Sequence, residues 1–205
     1  MIATAVTSST APCFIGSISD IQAGLGHEVE GEGHTMGTDL GLLVLRITIG
    51  LLFAAHGAQK AFGWWGGPGF SGWTNAVANM GWYPARDWAL LSIAAELGGG
   101  LLLAAGLVTP FAAAVLVAQS IVIIKGAHLR NGFWNGKGGI EYPLTLGLGA
   151  VALYLAGPGA FSFDRALGVS FGLPIQITAL AVALIGAMVA ILWPAHAPGR
   201  RAAHA

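Results

Sequence analysis

Five predominantly apolar stretches, residues 40–61, 89–107, 111–124, 144–156 and 175–193, set the limits on what this chain can fold into. A helix rises about 1.5 Å per residue, so roughly 20 apolar residues cross the hydrocarbon of a bilayer. The longer stretches reach that length. Within lipid every backbone polar group must be satisfied inside the chain, which helices accomplish segment by segment. The expected fold class is therefore all-α, a polytopic transmembrane helix bundle. Charge agrees: 9% of the 205 residues are charged, against about 25% in soluble domains.

The same inventory removes several function classes. Nine basic residues balance nine acidic ones, and no basic patch of the size that phosphate-backbone recognition needs is present, so nucleic acid is not an expected partner. Cys13 is the single cysteine. The chain has no intrachain disulfide, no CxxC pair and no four-cysteine metal site. Residues 27–34 place Glu28, Glu30 and Glu32 among glycines between His27 and His34. That pattern is read as an acidic tail, because its spacing matches no closed metal site, and no metal is expected. The first 38 residues hold no Lys or Arg and no continuous apolar core, which argues against a cleavable signal.

The chain divides into a flexible acidic extension (1–38), a four-span core (39–164), a connection with an additional helix (165–194) and a basic tail (195–205). Thr38 or Asp39 is positioned to cap the first helix, which is predicted to run to about Phe62 before the glycine-rich turn at 63–69. Residues 64–87 form a long connection whose tryptophans suit the membrane–water interface, with a short helix over 70–80. The second span is predicted over 88–107 and the third over 110–125, joined tightly through Thr109-Pro110. The fourth runs over 141–155 and the last over 174–193. In this five-span arrangement Lys60, Arg86, Lys125, Arg130, Lys137, Arg200 and Arg201 share one side, and Arg165 alone lies on the other. The positive-inside bias then puts the N-terminus outside and the C-terminus in the cytoplasm.

Polar residues within the spans are costly and mark buried contacts or functional paths. His56, Gln59 and Lys60 are spaced to share one face of the first helix. Arg46 lies about 15 Å away along that helix, at another depth. Glu96 is about 12 Å into the second span, at a depth similar to His56. It is a candidate partner for His56 and, if the arginine reaches inward, for Arg46 as a structural ion pair. Glu96 and His56 are the candidate proton-handling residues. Gln119, the one large polar side chain of the third apolar run, can bridge helices or meet a quinone-like carbonyl. Lys125, His128 and Glu141 gather at the same membrane face. Snorkelling explains the lysines there equally well. A bis-histidine haem on His56 and His128 is the weaker reading, since two spaced histidines without an attachment motif are poor support.

The stretch Leu-Arg-Ile-Thr-Ile-Gly-Leu-Leu-Phe-Ala-Ala-His-Gly-Ala-Gln-Lys-Ala-Phe-Gly at 45–63, together with Glu96, the 106–110 turn and the 131–143 segment, resembles the DoxX family of small membrane proteins. The resemblance covers about residues 39–164. It implies a four-helix membrane core, with the last apolar helix as an addition. It also implies an association with membrane redox functions, such as the small subunit grouping around thiosulfate:quinone oxidoreductase and complexes of oxidative stress. Arg46, His56, Gln59, Lys60, Glu96 and Glu141 are the positions it marks. Relatives of this family are described with four spans and both termini cytoplasmic, at odds with the charge count.

The leading functional expectation is a redox-associated membrane subunit that binds a quinone or couples to a partner oxidoreductase. In it Gln59, Gln119, Lys60 and Glu141 contact the ligand or complete the polar cluster. A scaffold or assembly subunit and a small-solute or proton transporter use the same buried ions differently. Whether the chain is itself an enzyme, and whether it forms a homo-oligomer, stays open at this point.

Overall fold

The computed structural model describes residues 35–193, and the regular elements among them are all helical. The acidic extension with Cys13, His27 and His34, and the tail with Arg200 and Arg201, lie outside the described residues. Helix α1 spans Met36–Phe62, α2 Gly69–Asn79 and α3 Ala85–Ala105. Helix α4 spans Thr109–Asn131, α5 Glu141–Ala156, α6 Phe163–Ala166 and α7 Leu173–Leu192. Four of them, α1, α3, α4 and α7, are long and apolar enough to cross a membrane. Helix α5 has 16 residues, about 24 Å of rise, and is the shorter one.

Local chemistry explains the boundaries. Thr35, rather than Thr38 or Asp39, caps α1: its hydroxyl accepts from the Thr38 amide at 3.3 Å. Gly63 ends the helix at φ 75°, and its amide donates to the Gln59 carbonyl at 3.1 Å. The third apolar helix does not stop near Lys125. A π-helical turn at Ile124–His128 carries it on to Asn131. Helix α3 contains a second π turn, Ala94–Gly98, with Glu96 in it.

The long helices alternate in direction. One end of the bundle gathers the start of α1, the α3–α4 turn and the residues after α5. There Asp39 accepts from the Ala160 amide at 2.8 Å. The other end gathers the close of α1, the short α2, the start of α3, the last turns of α4 and the start of α5. Helix α7 runs between the same two ends. Tyr154 donates to the Gln176 carbonyl at 2.8 Å near its start, whereas Trp82 donates to the Ala190 carbonyl at 2.7 Å near its finish. Trp193 donates to the Tyr83 carbonyl at 3.2 Å just beyond it.

Lipid tails give helices no hydrophobic reason to associate, so close packing of small residues must supply it. On the α1–α3 seam a Cβ at Gly50 would lie 2.6 Å from the Gly100 carbonyl oxygen and the Ala104 nitrogen. Only glycine permits that backbone approach. Leu42, Ile49, Phe53, Leu103, Leu116 and Leu153 fill the centre between α1, α3, α4 and α5.

Arg46 fastens one end of this core. It is 2% exposed. Its Nε donates to the Ala104 carbonyl at 3.2 Å, and its terminal nitrogens donate to the carbonyls of Pro158 and Phe161. Gly106, at φ 68°, leaves the room that the guanidinium occupies. Beside it Asp164 accepts from the amides of Val108 and Thr109 at 2.7 and 2.8 Å, a carboxylate on the N-terminus of α4. One fork thus ties the C-terminal ends of α3 and α5 to α1. Arg46→Met should destabilise the detergent-solubilised protein by about 3 kcal/mol or more, since several buried carbonyls lose their donors. Arg46→Lys should recover little, because one ammonium cannot span three acceptors. Thermal unfolding of both variants beside the wild type measures this.

Candidate functional site

At the opposite end the polar side chains converge on a cavity of about 590 Å³ enclosed by α1, α2, α3, α4, α5 and α7. Its polar lining comes from His56, Lys60, Ser92, Glu96, Gln119, His128, Asn135 and Tyr142, set among Phe53, Trp73, Val77, Trp82 and Leu146. The small residues Ala183, Gly186 and Ala187 of α7 form part of the wall.

Glu96 is the centre of the polar group. It is fully buried. Its Oε1 is ion-paired with the Lys60 ammonium and accepts from Gln119 Nε2 at 2.8 Å. Its Oε2 is buried with no hydrogen-bond partner. The Lys60 ammonium also lies over the Trp73 ring, 4.2 Å from its centroid, where the ring's negative face favours a cation. Trp73 is held in turn by its Nε1 donating to Ser92 Oγ at 3.2 Å. Three helices are thereby joined through one carboxylate oxygen.

A second polar pair stands beside it. His56 Nδ1 donates to Gln59 Oε1 at 3.2 Å, and His56 Nε2 shares a hydrogen bond of 3.0 Å with the Tyr142 hydroxyl. Both His56 nitrogens are engaged by side chains, Gln59 on one side and Tyr142 on the other. His128 Nδ1 donates to the Gly138 carbonyl at 2.7 Å. Among the described residues no group of three His, Cys, Asp or Glu side chains is placed to hold a metal ion.

The structure brings His56, Lys60, Glu96 and Gln119 together at the cavity, and it leaves out three of the residues singled out in the sequence. The Arg46–Glu96 ion pair is not formed: Glu96 goes to Lys60, while Arg46 binds backbone carbonyls at the other end of the bundle. The separation along α1 makes both contacts by one glutamate unattainable. Gln59 does not line the cavity and reaches it only through His56. Glu141 does not line it either; its Oε2 accepts from the Asn135 amide at 2.9 Å and shapes the loop before α5. Glu96 and His56 are neighbours in the cavity wall without a hydrogen bond between them.

Sequence reasoning missed Tyr142, Trp73, Ser92 and Trp82. Trp73, Val77 and Met80 follow a helical three-and-four spacing, a stripe that turns inward from α2. The tryptophans of 64–88 were expected at the membrane–water interface. Trp64 and Trp65 are exposed, but Trp73 and Trp82 face the cavity. Trp82 lies over Gly126 in the second π turn, where a Cβ would collide with its ring.

This architecture defines an integral membrane protein whose apolar helices enclose a polar-walled cavity. The DoxX family profile matches residues 41–129, which include Arg46, His56, Lys60, Glu96 and Gln119. The chain is 30% identical over 131 residues to the inner membrane protein YqjF of Escherichia coli (strain K12), covering 63% of this chain and 93% of that protein. It belongs to the DoxX family. No solved structure gives a significant match.

Removing one member of the buried ion pair should cost far more than removing both. Lys60→Met strands a charged Glu96 and should destabilise the fold by roughly 3–5 kcal/mol. The double variant Lys60→Met/Glu96→Leu should recover most of that loss. Unfolding of the single and double variants in one detergent provides the comparison.

Proposed function

We propose that this protein is a redox-associated subunit of the bacterial cytoplasmic membrane that binds a membrane quinone in the cavity beside Glu96. The observation that carries this reading is the pairing of a large apolar cavity with a compact polar group on its wall. Its volume falls in the range of small-molecule sites, roughly 300–1,000 Å³. A flat ring with a hydrocarbon chain matches both surfaces, with Trp73 and Phe53 beside the ring and the small-residue face of α7 beside the chain. Lys60, Glu96 and the His56–Tyr142 pair are the groups on hand to hold or pass protons. A quinone takes up two electrons and two protons on reduction to its quinol. With Cys13 as the single cysteine, this chain alone has no dithiol to donate electrons, and a partner redox protein supplies them.

The positive-inside bias places the cavity end, with Arg86, Arg130 and Lys137, on the cytoplasmic side. A partner approaching from the cytoplasm then meets the basic end. The inner-membrane naming of the similar Escherichia coli protein supports the membrane assigned here.

Purification in mild detergent followed by organic extraction should yield bound quinone, lost or strongly reduced in Glu96→Leu and Trp73→Ala variants that still fold. Wild-type protein that neither retains quinone nor binds an added one would return the chain to the scaffold reading. For orientation, a cysteine introduced by Asn135→Cys in a Cys13→Ala background should react with an impermeant maleimide only after the membrane is opened. Labelling of intact cells at that position would reverse the assigned orientation.

A further inference from the structure

The hydrogen bonds in the cavity wall determine which form of ligand it suits. Glu96 Oε1 takes one amide hydrogen of Gln119, and a carboxylate can only accept. That bond fixes which way the Gln119 amide points. Its Nε2 faces the carboxylate, and its carbonyl Oε1 carries no hydrogen bond while the residue lines the cavity. Glu96 Oε2 is a second acceptor, buried and without a donor. Several donors of the wall are already engaged. The Lys60 ammonium is held by Glu96 and the Trp73 face, Trp73 donates to Ser92, and Trp82 donates to the Ala190 carbonyl.

We infer that the cavity selects a ring bearing a hydroxyl group, a hydroquinone or phenol, over the corresponding quinone, by accepting its hydrogen bond at Gln119 Oε1 and Glu96 Oε2. The inference rests on the quinone-site reading above and narrows it to the reduced form. Gln119 is a binding residue and Glu96 both a second acceptor and the group that orients the Gln119 amide. The buried, unpaired carboxylate oxygen is costly as it stands. A ligand hydroxyl is the kind of donor it lacks. A quinone carbonyl brings a further acceptor to a wall that already presents two.

The test is equilibrium binding to wild-type protein in lipid nanodiscs, under argon, with empty nanodiscs correcting for partition into lipid. The probes are a benzoquinone with one isoprenyl unit, its hydroquinone, and the dimethyl ether of that hydroquinone. The hydroquinone should bind at least about tenfold more tightly than the other two, the scale of a hydrogen bond to a charged or buried acceptor. The ether is the decisive control, because it keeps the ring and chain and lacks the donor. Gln119→Leu should narrow the preference, because one of the two acceptors is gone. Glu96→Gln should also shrink the preference, since the Gln119 amide is then free to turn and, in one orientation of the new side chain, an amide nitrogen that donates replaces Oε2. Equal binding of hydroquinone and ether, or tighter binding of the quinone, overturns the inference and leaves the quinone site standing. Failure of all three ring compounds to bind overturns the site and the inference together.

Discussion

The ion pair between Lys60 and Glu96 is the interaction around which the site is arranged. A lone carboxylate deep among apolar helices would be expensive. Paired, it becomes a fixed point that α1, α3 and α4 all touch, because Gln119 joins the same oxygen. Trp73 of α2 then covers the ammonium. Glu96 is fully buried while the Lys60 side chain is 14% exposed. The carboxylate is thus the interior partner and the lysine its link toward the cavity. The cost of taking both charges out of water is offset only because each finds further partners, which is why the surrounding side chains are so closely determined.

The two ends of the bundle use charge for different purposes. At one end Arg46 and Asp164 are satisfied by backbone groups, carbonyls for the arginine and amides for the aspartate. Such contacts fasten chain to chain and leave little capacity for a ligand. At the other end side chains meet side chains around open volume, and an acceptor remains unmet. The apolar middle, from Ile49 and Phe53 to Leu116 and Leu153, separates them. Backbone fastening and the polar-walled cavity thus occupy opposite ends of the same helices.

Much of this was legible in the residues alone. Long apolar runs punctuated by glycine and proline mark the long helices and their approximate limits, and the helical spacing of His56 and Lys60 agrees with both lining one cavity. The family resemblance read from the 45–63 stretch agrees with the profile match. What the sequence could not supply was the choice among partners. Arg46 and Lys60 lie on the same helix, and either cation is chemically suited to Glu96. Only the three-dimensional offset between the ends decides for Lys60. Tyr142 was hidden by its neighbour Glu141, whose charge drew attention although the adjacent ring points inward. The tryptophans carried a second use that composition does not show, since a ring suited to the interface is equally suited to lining a cavity, as Trp73 and Trp82 do.

The π turn at Ala94–Gly98 has a consequence for how α3 can change. A π turn holds one residue more than regular winding, which rotates everything after it by about 100° about the axis. Glu96 sits within that extra turn, and Gly100 and Ala104, which receive the bare backbone of α1 at Gly50, follow it. The two halves of the helix thus keep separate phases. Excising a single residue there would wind the segment back to regular pitch and swing the glycine seam out of alignment with α1. The surplus residue acts as a phase shifter, letting the charged contact at Glu96 and the bare-backbone seam at Gly100 and Ala104 both meet α1.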